Sequence, residues 1–486
     1  MDWYFGSVWL VCLLFERGLG ALYLIAFLAA LFQFPPLLGE RGLLPVPRFA
    51  SRVRFRDTPS IFLWHYSDRF LRAVALAGVV LSIVVLSGIS SLGPAWLSFV
   101  PWILLWVLYL SIVNVGQTFY AFGWETMLLE AGFFTIFMGP GWMAAPLIPV
   151  LILRWMLFRT EVGAGLIKMR GDRCWRDLTC LYYHYETQPL PNPLSRAFHH
   201  IPWPMQRFSV LFSHFVQIVV PFALFAPQPY ASIAGALIVL HQLLLIVSGN
   251  YSWLNWLTVL LGVTAFSDQV FLAIFGGAIP MTQPRGLAFD VVLYVLAGVT
   301  LLLSIQPVVN IFSRYQRMNS SFNPLHLVNT YGAFGTVTKK RYEVVVEGTL
   351  DQEITERTEW REYEFKAKPG DPQRMPPQFA PWHLRLDWLM WFLPFSVTVT
   401  PGGIAVPAHE VWFVRFLRKL LEGDRAALAL IRHDPFEGTP PRHVRALYYE
   451  YRFTTREEKK ESGAWWIRTL LGSYVRPVTL DRIRDI

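Results

Sequence analysis

Residues 1–307 contain a single lysine, Lys168, in the run Gly163-Ala164-Gly165-Leu166-Ile167-Lys168-Met169, and arginine supplies every other side-chain positive charge there. Burial can lower a lysine's proton affinity until it acts as a base, which arginine does not do. Two readings of Lys168 are open: a chemical base, or an ammonium that snorkels to lipid headgroups from the polar end of a helix. Glu125 and Glu130 sit in an otherwise apolar stretch, 119–138. Carboxylates in such surroundings are costly, so they face a cavity or a cation. Five positions of an ideal helix turn them about 140° apart, which argues against one paired site. Arg154 and Arg159 offer neutralising charge, as does the Glu16–Arg17 pair. With Glu161, these residues form a candidate buried polar network. His184 stands among aromatics in 181–189 and is either an acid–base group near neutral pH or a hydrogen-bonded structural residue. The candidate catalytic residues are therefore Lys168, His184, Glu125 and Glu130.

Cys174 and Cys180 are six apart, on different faces of a regular helix. They form a disulfide only if the segment is irregular and faces an oxidising compartment. His199 and His200 are adjacent, but no third ligand follows at zinc spacing, so no metal is expected. The chain has no GxSxG, no P-loop, no HExxH and no GxGxxG after a strand.

These side chains need a scaffold, and composition says which kind. The chain has 486 residues, 54% hydrophobic and 16% charged. Mean hydropathy is +0.37. A soluble protein of this size carries more surface charge, and a disordered one has less apolar content. Residues 1–307 hold 17 Lys+Arg and 13 Asp+Glu, whereas the last 179 residues hold 26 and 21. The first part is suited to lipid and the second to water. The expected fold is a polytopic α-helical membrane bundle (1–307) followed by a β-rich, α+β soluble domain (308–486). Two long polar loops, 34–69 and 168–206, interrupt the bundle.

Apolar stretches near 8–33, 70–90, 95–115, 119–138, 146–167, 207–227, 230–248, 252–275 and 287–306 give nine candidate spans. The charged stretches 119–138 and 146–167 are either re-entrant or packed inside the bundle. Nine spans put both loops and the C-terminal domain on one side, and the Arg-rich loops would make that side cytoplasmic. Beyond 307, residues 341–346, 360–366 and 444–453 read as strands and 411–421 as an amphipathic helix. Pro/Gly turns are expected at Pro369-Gly370 and Pro401-Gly402. The net charge of +9 forms no basic stripe with interleaved aromatics, so no nucleic acid is expected as a partner. Membrane lipid is.

Several runs resemble the lipase maturation factor family: Gly39-Glu40-Arg41-Gly42-Leu43-Leu44-Pro45, residues 114–132, Gly165-Leu166-Ile167-Lys168, residues 174–180 and 183–193, and Leu327-Val328-Asn329-Thr330-Tyr331-Gly332. The resemblance implies a multi-span protein that helps secreted lipases fold and assemble, a maturation factor rather than an enzyme. It implies the endoplasmic reticulum membrane in a eukaryote, or the plasma membrane for a bacterial member. The C-terminal domain would then be lumenal or exoplasmic, against the charge-based orientation. No cofactor is expected. Aromatic patches, with Trp382, Trp388, Trp391, Trp465 and Trp466 as possible contacts, would bind the client. Residues 164–169 also resemble the helical membrane domain of vitamin K-dependent γ-carboxylases. That resemblance implies an alternative, a membrane enzyme in which Lys168 is a base acting on a reduced quinone or another lipid-soluble substrate.

Overall fold

The computed structural model describes residues 2–400 and 403–483, so the turn expected at Pro401-Gly402 lies outside the described residues. The bundle comprises α1 (Trp9–Leu38), α2 (Asp68–Ser87), α3 (Ala95–Val115), α4 (Gly123–Thr135), α5 (Leu147–Arg170), α6 (Trp203–Phe225), α7 (Tyr230–Ser248), α8 (Leu254–Val263), α9 (Asp268–Phe275) and α10 (Leu287–Phe312). Helix starts follow local chemistry. The Ser67 hydroxyl accepts the Phe70 N–H ahead of α2, and Pro202 and Pro204 frame the start of α6.

Among the described residues, α1, α2, α3, α6, α7 and α10 are each long and apolar enough to cross a membrane. The α8–α9 pair, bent by 98°, makes a seventh crossing if counted as one span. Two of the nine stretches expected from sequence fall outside this set, and of the two alternatives open for them the structure shows the one packed inside the bundle. Helix α4 has only 13 residues, and α5 carries Arg154, Arg159, Glu161, Lys168 and Arg170. Both are enclosed by the other helices: Glu125, Glu130, Arg154, Arg159 and Glu161 are at most 1% exposed. Helix α10 also continues past Pro307 to Phe312.

Contacts sort the connections into two ends. At one end, Asp268 accepts from Ser7 and the Trp9 N–H, and Trp9 donates to the Gly141 carbonyl. At the other, Arg415 donates to the Leu43 carbonyl at 2.9 Å, Trp175 to the Phe334 carbonyl at 2.8 Å, and Asn250 to the Pro377 carbonyl at 2.9 Å. Both long loops and the C-terminal part therefore share one end.

The C-terminal part holds an antiparallel sheet of β1 (Arg341–Thr349), β2 (Arg361–Glu362), β5 (His443–Phe453) and β6 (Trp466–Val478), in the order β2-β1-β5-β6. A small hairpin, β3 (Thr398–Thr400) and β4 (Gly403–Ala405), lies beside it. Helix α11 (Val411–Leu421) buries Trp412, Phe413, Phe416, Leu417, Leu420 and Leu421. Glu343 of β1 sits dry between Arg341 at 2.6 Å and Lys368 at 3.0 Å. Arg341 also donates to the carbonyls of Gln188 and Pro189, which ties the 168–206 loop to the sheet.

Two buried ion pairs join the bundle to the chain's last third. Glu125 accepts from Arg385 at 2.6 Å and from the Tyr109 hydroxyl. Glu130 pairs with Arg159 and accepts from the Asn329 N–H at 2.8 Å and the Tyr331 hydroxyl at 2.7 Å. Removing one partner of such a pair strands a charge in a dry interior, at about 3–5 kcal/mol. Arg385→Ala is therefore expected to destabilise the whole protein by that amount in thermal unfolding. Arg385→Met with Glu125→Gln is expected to recover at least half. A second expectation concerns His383, which is fully buried. Burial first, then the neighbouring Arg385 charge, pushes its pKa down to about 4. The unfolded chain takes up that proton near pH 6.5, so His383's contribution is whole above 6.5 and falls as pH drops toward 4. At 1.36 kcal/mol per pH unit the loss reaches about 2 kcal/mol by pH 5. His383→Gln is expected to flatten the melting-temperature profile over that window.

Candidate functional site

Lys168 ends its helix inside the protein, 6% exposed, so the snorkelling reading is overturned. Its Nζ donates to Gln217 Oε1 at 2.7 Å and lies 4.9 Å from the centre of the Trp175 ring. Gln217 reaches it because α5 and α6 nearly touch. A Cβ on Gly165 would lie 2.6 Å from Ile218 and 3.2 Å from Gln217, so any larger residue would push the helices apart. Helix α6 widens into a π turn over Phe215–Val219. Pro221, four residues after Gln217, has no N–H to return to the Gln217 carbonyl, and the ladder loosens at that point.

Lys168 faces a cavity of about 730 Å³ between α5, α6, α7, α8 and the C-terminal part. Glu161 and His184 face it too. His184 exchanges a 2.9 Å hydrogen bond with the Tyr251 hydroxyl, and Tyr251 donates to Gln188. Glu161 accepts from Gln242 at 2.7 Å, and Gln242 accepts from Asn255 at 3.0 Å. The rest of the lining is mostly apolar, with Phe334, Trp388 and Trp391 on the C-terminal side.

The expected catalytic set is divided. Lys168 and His184 share the cavity, whereas Glu125 and Glu130 do not line it and are held in their ion pairs. The expected five-residue network is divided as well. Arg159 belongs to Glu130 and Glu161 to Gln242. Glu16 and Arg17 meet only at Ser91. Arg154 donates to the carbonyls of Thr264 and Leu224 rather than to a carboxylate. The physical reason is that a buried charge must be met by the groups packed against it, and for Arg154 those are backbone carbonyls. Cys174 and Cys180 are joined in a disulfide, with their Cα atoms 4.8 Å apart. The segment between them breaks helical geometry at Leu178, φ +59°.

Gln217, His241, Gln242 and Asn255 escaped the sequence reading. Their signal was available: polar side chains in otherwise apolar spans mark an interior site.

The transmembrane-domain model of the lipase maturation factor family matches residues 10–273, and the model of that family's C-terminal domain matches residues 327–476. The chain belongs to the lipase maturation factor family. Among its relatives, lipase maturation factor 1 of Bos taurus is 40% identical over 525 aligned positions, covering 99% of this chain and 91% of the relative. Lipase maturation factor 1 of Homo sapiens is 40% identical over 523, covering 99% and 89%. Lipase maturation factor 2 of Xenopus tropicalis is 28% identical over 585, covering 93% and 80%. No solved structure matches. With its apolar helices, this member of the lipase maturation factor family is an integral membrane protein.

Lys168 pairs with a neutral amide, and no carboxylate lies within 4 Å of it among the described residues. An apolar side chain of similar length removes a desolvated charge at little cost. Lys168→Met combined with Glu161→Gln, which removes both formal charges of the cavity together, is therefore expected to keep its expression level and to melt within about 1 kcal/mol of the parent. A collapse in either measurement would show that the charged groups hold the fold together.

Proposed function

We propose that the chain is a membrane-embedded maturation factor that assists the folding and assembly of secreted lipases. The observation that carries this reading is kinship through both parts of the chain, at 40% identity and near-complete coverage, to proteins named lipase maturation factor 1. The C-terminal part then lies on the lumenal or exoplasmic side: of the endoplasmic reticulum in a eukaryotic cell, of the plasma membrane in a bacterium. The Cys174–Cys180 disulfide supports that side. It lies at the bundle end that carries the C-terminal part, and disulfides persist in oxidising compartments.

Of the tryptophans expected to meet a client, Trp388 and Trp466 are buried and belong to the core, while Trp382, Trp391 and Trp465 are half-buried. A better contact surface is the neighbouring Phe392, Phe395 and Val399, 41%, 50% and 46% exposed. An apolar cluster of this kind on the rim of a folded domain suits capture of unfinished apolar surface.

Co-expression with a secreted lipase tests the reading. Lipase specific activity is expected to rise several-fold with the intact chain and to fall back with Phe392→Ser/Phe395→Ser at unchanged abundance of the membrane protein. Equal specific activity with and without the chain would refute it.

A further inference from the structure

Among the described residues, three buried polar atoms around one glutamine amide have no hydrogen-bond partner at normal geometry: Glu161 Oε2, Asn255 Oδ1 and His241 Nδ1, with the Gln217 side chain also acting on the Glu161 carboxylate. Their residues are 1%, 3% and 4% exposed, and all three line the 730 Å³ cavity. The hydrogen-bond order fixes the roles. Asn255 gives its amide hydrogens to Gln242, and Gln242 gives its own to Glu161. What remains at Asn255 and Glu161 is oxygen, so the unfilled sites ask for a donor. A buried acceptor left unmatched costs about 1–3 kcal/mol, which a bound group would relieve.

Charge narrows the ligand. Among the described residues, Glu161 and Lys168 are the only Asp, Glu, Lys or Arg in the lining, and their opposite charges leave no net field for an ion. Lys168 has one of its three hydrogens on Gln217 and can give another to a ligand oxygen. A hydroxyl meets both demands in one small group, since it donates and accepts while uncharged.

Shape supplies the tail. Phe208 of α6 and Leu240 and Leu244 of α7 line the cavity and are also 68%, 48% and 43% exposed. The cavity therefore opens sideways between two helices that are apolar enough to cross a membrane, and also at its C-terminal rim, where the lining residues Phe392 and Phe395 are 41% and 50% exposed. Its volume lies within the 300–1,000 Å³ of ordinary small-molecule sites. It has room for a small head and the start of one chain.

We propose that the cavity holds a single-tailed neutral lipid with a hydroxylic head, of which a monoacylglycerol is the simplest example. The head points inward, its hydroxyls donating to Glu161 and Asn255, and the tail leaves between α6 and α7 into the bilayer. This holds or fails independently of which client the protein serves.

The test uses the full chain in nanodiscs and a monoacylglycerol with a photoactivatable group in its acyl tail. Cross-linked peptides are expected from α6 and α7 around Phe208 and Leu244. Excess monoolein is expected to cut labelling at least ten-fold, and oleate much less. Leu244→Trp, which plugs the mouth from an exposed position, is expected to abolish labelling there. Glu161→Gln, which turns an acceptor toward a donor, is expected to reduce it about five-fold at an unchanged melting temperature. If Glu161→Gln does not fold, the Leu244→Trp result decides. Equal competition by oleate, labelling indifferent to Leu244→Trp, or labelling spread along α10 would each overturn the proposal. The first would show that the head is not read, and the others that only surface lipid was captured.

Discussion

Two carboxylates that no water reaches decide how this chain is put together. Glu125 and Glu130 lie on the enclosed α4 helix and are fully buried. An unpaired charge in such a place is worth more than a small protein's margin of stability. The bundle's own helices answer only part of the demand. Arg159 neutralises Glu130, but the remaining lone pairs are filled by Asn329 and Tyr331 from beyond the last helix. Glu125 receives its cation from Arg385, whose guanidinium also lies 3.4 Å from the centre of the Tyr120 ring and donates to the Phe119 carbonyl.

Composition separates a greasy first part from a charged second part, but the forces do not respect that border. A bundle completed without residues 327–331 and 385 would leave Glu125 without its cation and Glu130 short of its Asn329 and Tyr331 donors. The water-exposed part is thus a structural component of the membrane part. Gln33 adds to the joint. Its amide donates to the His383 carbonyl at 2.7 Å and accepts the Arg385 N–H at 3.0 Å. Arginine suits this role better than lysine, because its planar fork serves a carboxylate, a carbonyl and an aromatic face together.

What could be read in advance follows the range of the forces. Helix α11 was legible, since its apolar residues recur at helical spacing and Gly423, φ +62°, stops it. Strands β1 and β5 were legible from their β-branched and aromatic residues, although β1 is buried along nearly its whole length rather than on alternate positions. Strand β6 was not: register shifts opposite Ala446 and between Tyr448 and Tyr449 break its alternation, and Gly472 and Pro477 read as turn residues. The stretch 360–366 yields only two residues of β2, because the chain leaves β1 at Tyr363 and Glu364 turns to bridge His433. At the site, the separate environments of Glu125 and Glu130 followed from a 140° turn of helix. The Arg385 partner did not, since it lies 260 positions beyond Glu125 in the chain.

The cavity itself is made by subtraction. On α5, a Cβ at Gly163 would meet the Tyr331 carbonyl at 2.2 Å, and Gly165 admits the flank of α6. These two absences let the C-terminal segment and α6 close around α5 from different sides. Gln217 lies in the π turn that precedes Pro221, and its side chain is turned toward Lys168. The small residues before Lys168 are therefore as much a part of the site as the lysine. A motif read for its one charged residue owes its shape to the residues that have no side chain to offer, and the ammonium is where it is because two neighbouring backbones can come so close.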